Sequence, residues 1–341
     1  MTDESSYERE LGGQLLASVS RSFYLTLRAL PKEVREPISL AYLLARTADT
    51  LADTAAVSAQ LRLALLADYA GLLAQRDEAR EVAWSMALER DFAPLQTDAA
   101  EARLMQRARQ GLAWFWSLDE ATRTLVTAVL REIISGQVLD IERFPGDGPV
   151  ASLRDAAELE DYTWRVAGCV GAFWTDLCAL RLPDAFVEGA VLEDLRSDGT
   201  RLGKGLQLVN ILRDVAKDRA LGRCYLPAEQ WEKSDGESAE TFLRDPGRVT
   251  PLWDHWAQVC ETHLEAGARY VVQVRDGKLR YATALPLMLA WRTLARMRQT
   301  AVPGRWLGVK VSRLEVARVL AEAVTACRSE EALERWIDRV R

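Results

Sequence analysis

Hydrophobic residues recur along most of the chain with the spacing of one helix face, and no run shows the two-residue alternation of a half-buried strand. The pattern predicts helices near residues 6–28, 34–54, 58–77, 100–114, 119–143, 155–180, 186–195, 202–219, 251–273, 283–299 and 311–338. Turn-rich sequences separate several of them, at Phe144–Pro149, Arg196–Thr200, Lys233–Glu237 and Asp245–Arg248. Because consecutive helices with short connections favour one packed assembly, we predict a single all-α domain over residues 1–341.

The composition excludes a disordered chain and argues against a nucleic-acid-binding protein. Hydrophobic residues make up 49% of the chain and charged residues 28%, which is typical of a globular protein. The formal net charge is -6, whereas a surface that binds phosphate groups of nucleic acid needs an excess of basic residues. We therefore predict no nucleic-acid partner.

Cysteine and histidine are too few and too scattered to suggest their usual chemistry. The five cysteines form no C-x-x-C pair and the chain has two histidines, so we predict no disulfide framework, zinc site or His-centred catalysis. No stretch approaches about eighteen consecutive apolar residues, and the first ten residues are polar and acidic, which predicts neither a signal peptide nor a membrane span. These features indicate a cytoplasmic protein, and no pattern indicates an oligomeric state.

A polar stripe follows one face of the otherwise apolar segment Ile38–Thr54. Tyr42, Arg46, Asp49 and Asp53 are spaced 4, 3 and 4 residues apart, which places them on one side of a helix. A helix this apolar is expected to be buried, so its polar stripe should face an internal site. The two aspartates repel each other by about a few tenths of a kcal/mol, and a bound cation would reverse the sign of that interaction.

A second segment, Leu202–Asp218, repeats this arrangement. Gln207, Asn210, Asp214 and Asp218 are spaced 3, 4 and 4 residues apart, and leucine, isoleucine and valine surround them. A single pair of aspartates four residues apart is most often a solvated helix surface. Two such pairs on apolar helices favour an internal site instead, because unpaired charges are rarely buried without a partner.

Carboxylates without histidine or cysteine select a hard cation, so the two stripes predict Mg²⁺. Mg²⁺ keeps several waters and is commonly shared between one or two carboxylates and substrate phosphates. Two facing carboxylate pairs could thus hold a diphosphate through bridging Mg²⁺, and nearby arginines would contact the same oxygens. A diphosphate neutralised in this way is a good leaving group, which points to ionisation of an organic diphosphate and transfer of its carbon chain.

Several motifs resemble those of the squalene and phytoene synthase family, whose members join two isoprenoid diphosphates head to head. In chain order the matching segments are Val19–Phe23, Asp49–Asp53, Tyr162–Gly171, Gln207–Asp218 and Gly222–Pro227. The resemblance implies an isoprenoid-synthase-type helical bundle around a central apolar cavity, in which two farnesyl diphosphates bind with Mg²⁺. One departure is Lys217, which replaces a usual glutamate and lowers the negative charge beside the last aspartate.

The resemblance also implies a role for individual residues. Asp49, Asp53, Asp214 and Asp218 match the catalytic, metal-binding aspartates. The positions that match diphosphate contacts are Arg21, Ser22, Arg46, Arg213 and Arg223. Tyr162 matches a proton acceptor, while Phe23, Tyr42 and Gln207 match positions that line the substrate cavity. The alternatives from the residues alone are intrahelical ion pairs for Arg46 and Arg213, a hydrogen-bonded core tyrosine for Tyr162, core packing for Phe23 and Tyr42, and structural amides for Gln207 and Asn210.

Within the family, Ala284–Met288 and Gly308–Arg313 resemble segments of squalene synthases that carotenoid-forming relatives largely lack. The resemblance implies contact with NADPH at Lys310 and Arg313, and Asn210 could orient the cofactor amide. The expected reaction is condensation of two farnesyl diphosphates to presqualene diphosphate, followed by rearrangement and reduction by NADPH to squalene.

Two other functions remain open at this point. One is dehydrosqualene or phytoene synthesis without the reductive step. The other is a non-catalytic helical protein that binds lipid, which Lys217 alone encourages. An apolar product also leaves open a peripheral contact with a membrane for its release.

Overall fold

The computed structural model describes residues 10–20, 23–146, 148–232, 237–302, 304–306 and 308–341. Contacts divide the chain into two compact units, Met1–Glu142 with Leu180–Leu182, and Arg143–Ala179 with Pro183–Arg341. The single domain predicted over residues 1–341 stays a prediction. Within the described ranges, no helix is both long enough and apolar enough to cross a membrane.

The first unit is built around one long buried helix, α3. Its α-helices are α1 (Leu16–Ser20), α2 (Phe23–Ala29), α3 (Lys32–Asp53), α4 (Ala59–Ala74), α5 (Glu78–Ala87), α6 (Ala99–Gln106), α7 (Ala108–Ser117) and α8 (Glu120–Arg143, of which Arg143 belongs to the second unit), and π-helical segments precede α1 at Leu11–Leu15 and follow α5 at Leu88–Phe92. Helix α3 packs against α4, α6 and α7 and buries Leu40, Ala48 and Leu51 completely. The prediction of a buried apolar helix over this segment is therefore confirmed.

The second unit is built around the longest helix, α11. Its helices are α9 (Ala156–Thr163), α10 (Cys169–Arg181, whose last two residues belong to the first unit), α11 (Leu192–Ala220), α12 (Ala239–Leu243), α13 (Pro246–Gln273), α14 (Gly277–Gln299), α15 (Arg313–Ala326) and α16 (Glu330–Val340). Two short parallel strands, β1 (Ala151–Ser152) and β2 (Arg223–Cys224), pair Ala151 with Arg223. Helix α11 packs against α13 and α14 and against a π-helical turn at Trp164–Gly168. The all-α prediction is confirmed, with one minimal strand pair added.

The predicted helix over 186–195 and the predicted break at Arg196–Thr200 are wrong. Helix α11 begins only at Leu192, so residues 186–191 lie outside it, and it continues through Arg196–Thr200 to Ala220. The glycine that suggested a turn, Gly199, lies instead where α11 crosses α10, because a Cβ on the facing Gly171 would come within 1.9 Å of the Gly199 carbonyl oxygen. The glycines here allow two helix backbones to touch rather than reverse the chain.

Other differences concern short elements and helix ends. Helices α5 and α12 were not predicted, and the helix predicted over 311–338 is divided into α15 and α16. The division lies at Ser329, whose hydroxyl accepts a hydrogen bond from the Ala332 backbone N–H and so caps α16. The Asp245–Arg248 segment is a helix start rather than a loop, since the Asp245 carboxylate accepts from the Gly247 N–H.

Candidate functional site

Three helices of the first unit converge on the carboxylate of Asp49. On α3, a guanidinium nitrogen of Arg46 (Nη1) lies 3.8 Å from Asp49 Oδ2. From α8, Gln137 Nε2 donates a hydrogen bond of 2.6 Å to Asp49 Oδ1. From α6, Glu101 accepts a hydrogen bond from Arg46. Asp53 is the last residue of α3 and is exposed, so the two predicted metal-binding aspartates of this unit differ in environment.

The side chain of Asp49 is 34% exposed, and desolvation by the protein around it raises its pKa to about 7, although Arg46 opposes the shift. The neighbouring carboxylates of Asp53, Glu101 and Asp140 raise it further. The charged form of Asp49 is thus unfavourable in this structure, and a bound cation would make it favourable. Oxygen donors with this excess of negative charge fit Mg²⁺.

The aromatic residues predicted near the substrate contact each other. The rings of Phe23 and Tyr42 have centroids 5.2 Å apart, and the Tyr42 hydroxyl donates a hydrogen bond of 3.3 Å to the Val19 carbonyl. Both side chains are only partly buried. Arg21 and Ser22 lie outside the described residues, and their predicted diphosphate contacts stay predictions.

In the second unit, Asp214 is held by the preceding residue on α11. Arg213 donates from Nε to Asp214 Oδ1 at 2.8 Å and from Nη2 to Oδ2 at 2.7 Å. This contact, more than any other, raises the pKa of Arg213. Intrahelical ion pairs are therefore present at both Arg46 and Arg213, as the simpler interpretation of the sequence expected. Each guanidinium remains half-buried beside a carboxylate, and contact with a diphosphate stays a prediction.

Asp218 and Arg223 line a small concavity of the second unit. Its remaining walls are Ile211, Val215, Cys224, Tyr225, Leu226 and Leu243. Arg223 is held there by strand β2, because its backbone pairs with Ala151. A carboxylate and a guanidinium thus share an otherwise largely apolar hollow.

Metal binding at these aspartates would need ligands from outside the protein. Among the residues that the structure describes, no group of three or more His, Cys, Asp or Glu side chains is arranged to hold a metal ion. Mg²⁺ does not require such a group, since it accepts one or two carboxylates and completes its shell with waters and phosphate oxygens. The donor set fits a metal that arrives with a diphosphate.

Tyr162 is buried and pairs with a tyrosine that the sequence analysis did not assign. Its ring stacks on Tyr225 with centroids 4.8 Å apart and planes inclined by 25°. The Tyr162 hydroxyl donates to the Tyr225 hydroxyl at 3.3 Å. The sequence signal for Tyr225 is its position within Gly222–Pro227, one of the segments that resemble a family motif.

The remaining predicted residues lie on partly or fully exposed surfaces of the second unit. Asn210 is exposed and donates to Gln207 Oε1 at 3.4 Å, so the two amides interact with each other. Lys310 and Arg313 are exposed, and Arg313 is the first residue of α15. Ser312 caps that helix with Glu315 in a reciprocal pair of hydrogen bonds, which fixes the backbone between the two cations.

A charged cluster ties the helix of Tyr162 to its neighbours. Glu160, two residues before Tyr162, lies 3.7 Å from His263 Nε2 on α13 and 2.5 Å from Lys204 Nζ on α11. His263 and Lys204 together lower the pKa of Glu160 to about 2. The contact with Lys204 is the closer of the two, and 3.7 Å is long for a hydrogen bond. We therefore attribute most of the stabilisation of the Glu160 carboxylate to Lys204.

Glu160→Gln is expected to lower the free energy of unfolding at pH 7 by about 1 kcal/mol or less, because the side chain is 39% exposed and solvent screens the pair. The folded-state pKa lies below the ordinary value of 4.5, so the carboxylate stabilises the fold above about pH 4.5 and loses this effect as the pH falls towards 2. Urea denaturation at pH 7 and pH 3.5 measures the difference. Glu78→Gln, at an 84% exposed carboxylate, is the control. A difference that stays constant between the two pH values would contradict the assignment.

The chain belongs to the squalene/phytoene synthase family, because the family's sequence model matches residues 16–315. Members of this family are prenyltransferases that act on prenyl diphosphates. The matched range contains every segment in which the sequence analysis found a motif. The resemblance inferred from those motifs is therefore confirmed.

Relatives in the family differ in the reaction that their names describe. The bifunctional lycopene cyclase/phytoene synthase of Colletotrichum graminicola is 31% identical over 237 residues, which cover 68% of this chain and 36% of that protein. Squalene synthase LSS of Botryococcus braunii is 27% identical over 289 residues, which cover 83% of this chain and 56% of that protein. The presqualene diphosphate synthase of Zymomonas mobilis subsp. mobilis is 29% identical over 280 residues, covering 80% and 81%. The chain thus spans about a third of the length of the Colletotrichum graminicola protein and somewhat over half of the length of the Botryococcus braunii protein.

Solved structures confirm the isoprenoid-synthase-type helical fold. The complex of TcSQS with the ligand BPH1237 matches with a TM-score of 0.76 at 20% identity, covering 98% of this chain and 90% of that one. A dehydrosqualene synthase in complex with a ligand matches with a TM-score of 0.61 at 22% identity, covering 94% and 98%.

Proposed function

We propose that this chain catalyses the Mg²⁺-dependent head-to-head condensation of two farnesyl diphosphates to presqualene diphosphate, and its NADPH-dependent reduction to squalene. The observation that carries the proposal is the repeated pairing of an arginine with an aspartate on a long helix that has a buried apolar face, Arg46 with Asp49 on α3 and Arg213 with Asp214 on α11. Such pairs suit a ligand that is itself a complex of cation and diphosphate.

The diphosphate groups are bound by the aspartates through Mg²⁺ and by the arginines directly. Asp49, Asp53, Asp214 and Asp218 would hold Mg²⁺, which when bound neutralises the diphosphate and makes it a better leaving group. Arg46 and Arg213 each carry a guanidinium whose charge is already favoured by a neighbouring carboxylate. Arg223 would add a further cation beside Asp218, and guanidinium forks match phosphate oxygens.

The chain's other contributions are exclusion of water, stabilisation of positive charge and removal of a proton. Water would trap a carbocation, and the apolar residues of α3 in the first unit and of α11 in the second would each exclude it from their own surroundings. The rings of Phe23 and Tyr42 stabilise positive charge by about 0.5–2 kcal/mol without supplying a nucleophile. Tyr162 accepts the proton that is lost when the cyclopropane ring closes.

For the reductive step, Lys310 and Arg313 would bind the phosphate groups of NADPH, and Asn210 its amide. Exposed cations separated by a fixed, capped backbone suit an anionic cofactor. NADPH supplies a hydride when bound, and the chain's part is to hold it and to keep solvent away.

Product analysis tests the proposal. Purified protein with farnesyl diphosphate and Mg²⁺ is expected to form presqualene diphosphate without NADPH and squalene with NADPH, and chelation of Mg²⁺ should abolish both. Dehydrosqualene in the absence of NADPH, or phytoene from the longer geranylgeranyl diphosphate, would identify the non-reductive alternative. Absence of any product from either prenyl diphosphate would favour a lipid-binding protein and contradict the proposal.

A second candidate is a presqualene diphosphate synthase that stops after the first step. The observation that favours it is the even match with the Zymomonas mobilis protein, which spans 80% of this chain and 81% of that relative. Presqualene diphosphate that accumulates equally with and without NADPH would establish this candidate in place of the first.

A further inference from the structure

Two tyrosines from distant parts of the second unit share a hydrogen bond inside its apolar core. Tyr162 belongs to α9 and is 8% exposed, whereas Tyr225 directly follows strand β2 and is 7% exposed. The hydroxyl of Tyr162 donates to that of Tyr225 at 3.3 Å, and the rings are stacked.

Tyr225 also reaches the concavity that contains the charged residues. It lines that hollow together with Asp218 and Arg223, the two residues proposed to bind a diphosphate there. The edge of Phe144 packs against its ring, with centroids 5.1 Å apart, so the position of the Tyr225 ring is fixed from a second side. Tyr225 thus contacts the Tyr162 hydroxyl and also lines the hollow beside Asp218 and Arg223.

A neutral phenol is a poor proton acceptor, because in water its own acidity lies near a pKa of about 10 and its protonated form is a strong acid. It can accept a proton from carbon if it gives up its own proton in the same event. The hydrogen bond that Tyr162 donates provides a path for that second proton. The acceptor of the path is Tyr225, which must in turn pass a proton to a stronger base.

We propose that Tyr225 is a relay residue that passes the proton received by Tyr162 to the released diphosphate. The inference rests on the proposed function. When the ring of presqualene diphosphate closes, a C1–H bond of one farnesyl group breaks and its electron pair forms the last ring bond. The proton goes to Tyr162 Oη, the original Tyr162 hydroxyl proton goes to Tyr225 Oη, and the original Tyr225 proton goes to a diphosphate oxygen. Both phenols end neutral, and the diphosphate gains one proton.

Tyr225→Phe tests the relay because it keeps the stacked ring and removes only the hydroxyl. Turnover to presqualene diphosphate is expected to fall by about tenfold to a hundredfold, with little change in KM. Since proton removal becomes slower, farnesyl diphosphate deuterated at C1 is expected to give a larger primary isotope effect with the variant than with the unaltered protein. A purely structural role for Tyr225 would not change that isotope effect.

Tyr270→Phe is the matched control, because it removes another buried hydroxyl of the same unit, one that is bonded to Thr175 Oγ1 at 3.0 Å. It should leave the isotope effect unchanged. In a Tyr162→Phe background, Tyr225→Phe should cause no further loss, since the two hydroxyls act in series. An unchanged isotope effect in an active Tyr225→Phe protein would overturn the relay alone. Absence of presqualene diphosphate from the unaltered protein would overturn the relay and the proposed function together.

Discussion

Asp49→Asn is expected to reduce turnover of farnesyl diphosphate by about a hundredfold or more. The substitution keeps the shape of the side chain and the contact with Gln137, but it removes the charge that would bind Mg²⁺. It also leaves Arg46 paired with Glu101. Steady-state assays over a range of Mg²⁺ concentrations measure the loss, which excess metal should restore only in part.

The expected loss of activity is not due to unfolding of the variant, because the raised pKa of Asp49 predicts that the variant is at least as stable as the unaltered protein at pH 8. Desolvation raises that pKa to about 7 from an ordinary 3.8, so the folded protein holds the proton more tightly than the unfolded chain. Ionisation of Asp49 therefore costs stability as the pH rises between these values. At pH 8 the neutral amide should melt at or above the temperature of the unaltered protein, as thermal denaturation would show.

Asp68→Asn is the control for this substitution. Asp68 lies in the same unit and is paired with Arg80, but both side chains are 50% exposed. Its replacement should leave activity within about twofold, since exposed ion pairs contribute little. Comparable activity in the Asp49 and Asp68 variants would contradict the assignment of Asp49 to metal binding.

Gly171→Ala is expected to destabilise the second unit by about 3 kcal/mol or more. The new methyl group would lie 1.9 Å from the Gly199 carbonyl oxygen and 2.2 Å from its carbon, and both are backbone atoms of α11. A flexible side chain could move aside, but a backbone in mid-helix cannot, so α10 and α11 must separate. Urea denaturation followed by circular dichroism measures the loss.

Gly277→Ala provides the matched control, because a Cβ at this first residue of α14 would meet no atom within 4 Å. Its effect on the free energy of unfolding should stay within about 0.5 kcal/mol. The same added methyl group is therefore expected to destabilise the protein strongly at Gly171 and hardly at all at Gly277. A Gly171→Ala protein as stable as the Gly277 variant would mean that the two helices are not in backbone contact.

The long helices could be predicted from the sequence because their apolar faces repeat within one segment. The periodicity of residues 34–54 and 202–219 is strong enough to indicate both α3 and the end of α11. The start of α11 could not be predicted in this way. Gly199 follows Ser197 and Asp198, a combination typical of turns, and only the facing Gly171 explains why a helix needs a glycine there.

The residues of the candidate site also differ in whether the sequence alone could predict them. Residues within one helical stripe, such as Asp49 and Asp53, were found by their spacing. The side chains that hold them come from segments far away along the chain: Glu101 is 55 residues from Arg46, Gln137 is 88 from Asp49, and Tyr225 is 63 from Tyr162. No local pattern in a single sequence encodes such pairs, because they depend on tertiary packing.

The π-helical turn at Trp164–Gly168 sets how this stretch tolerates changes in length. Its hydrogen bonds enclose one residue more than those of an α-helix, so the continuous run from α9 to α10 holds an extra residue. Deleting one residue at this turn would remove the residue that the wider turn accommodates, so the run could continue as a regular α-helix with Tyr162 and Gly171 close to their present faces. Inserting a further residue, which the turn does not accommodate, would instead rotate Tyr162 by roughly 100° about the helix axis relative to Gly171. A deletion is therefore expected to be tolerated better here than an insertion.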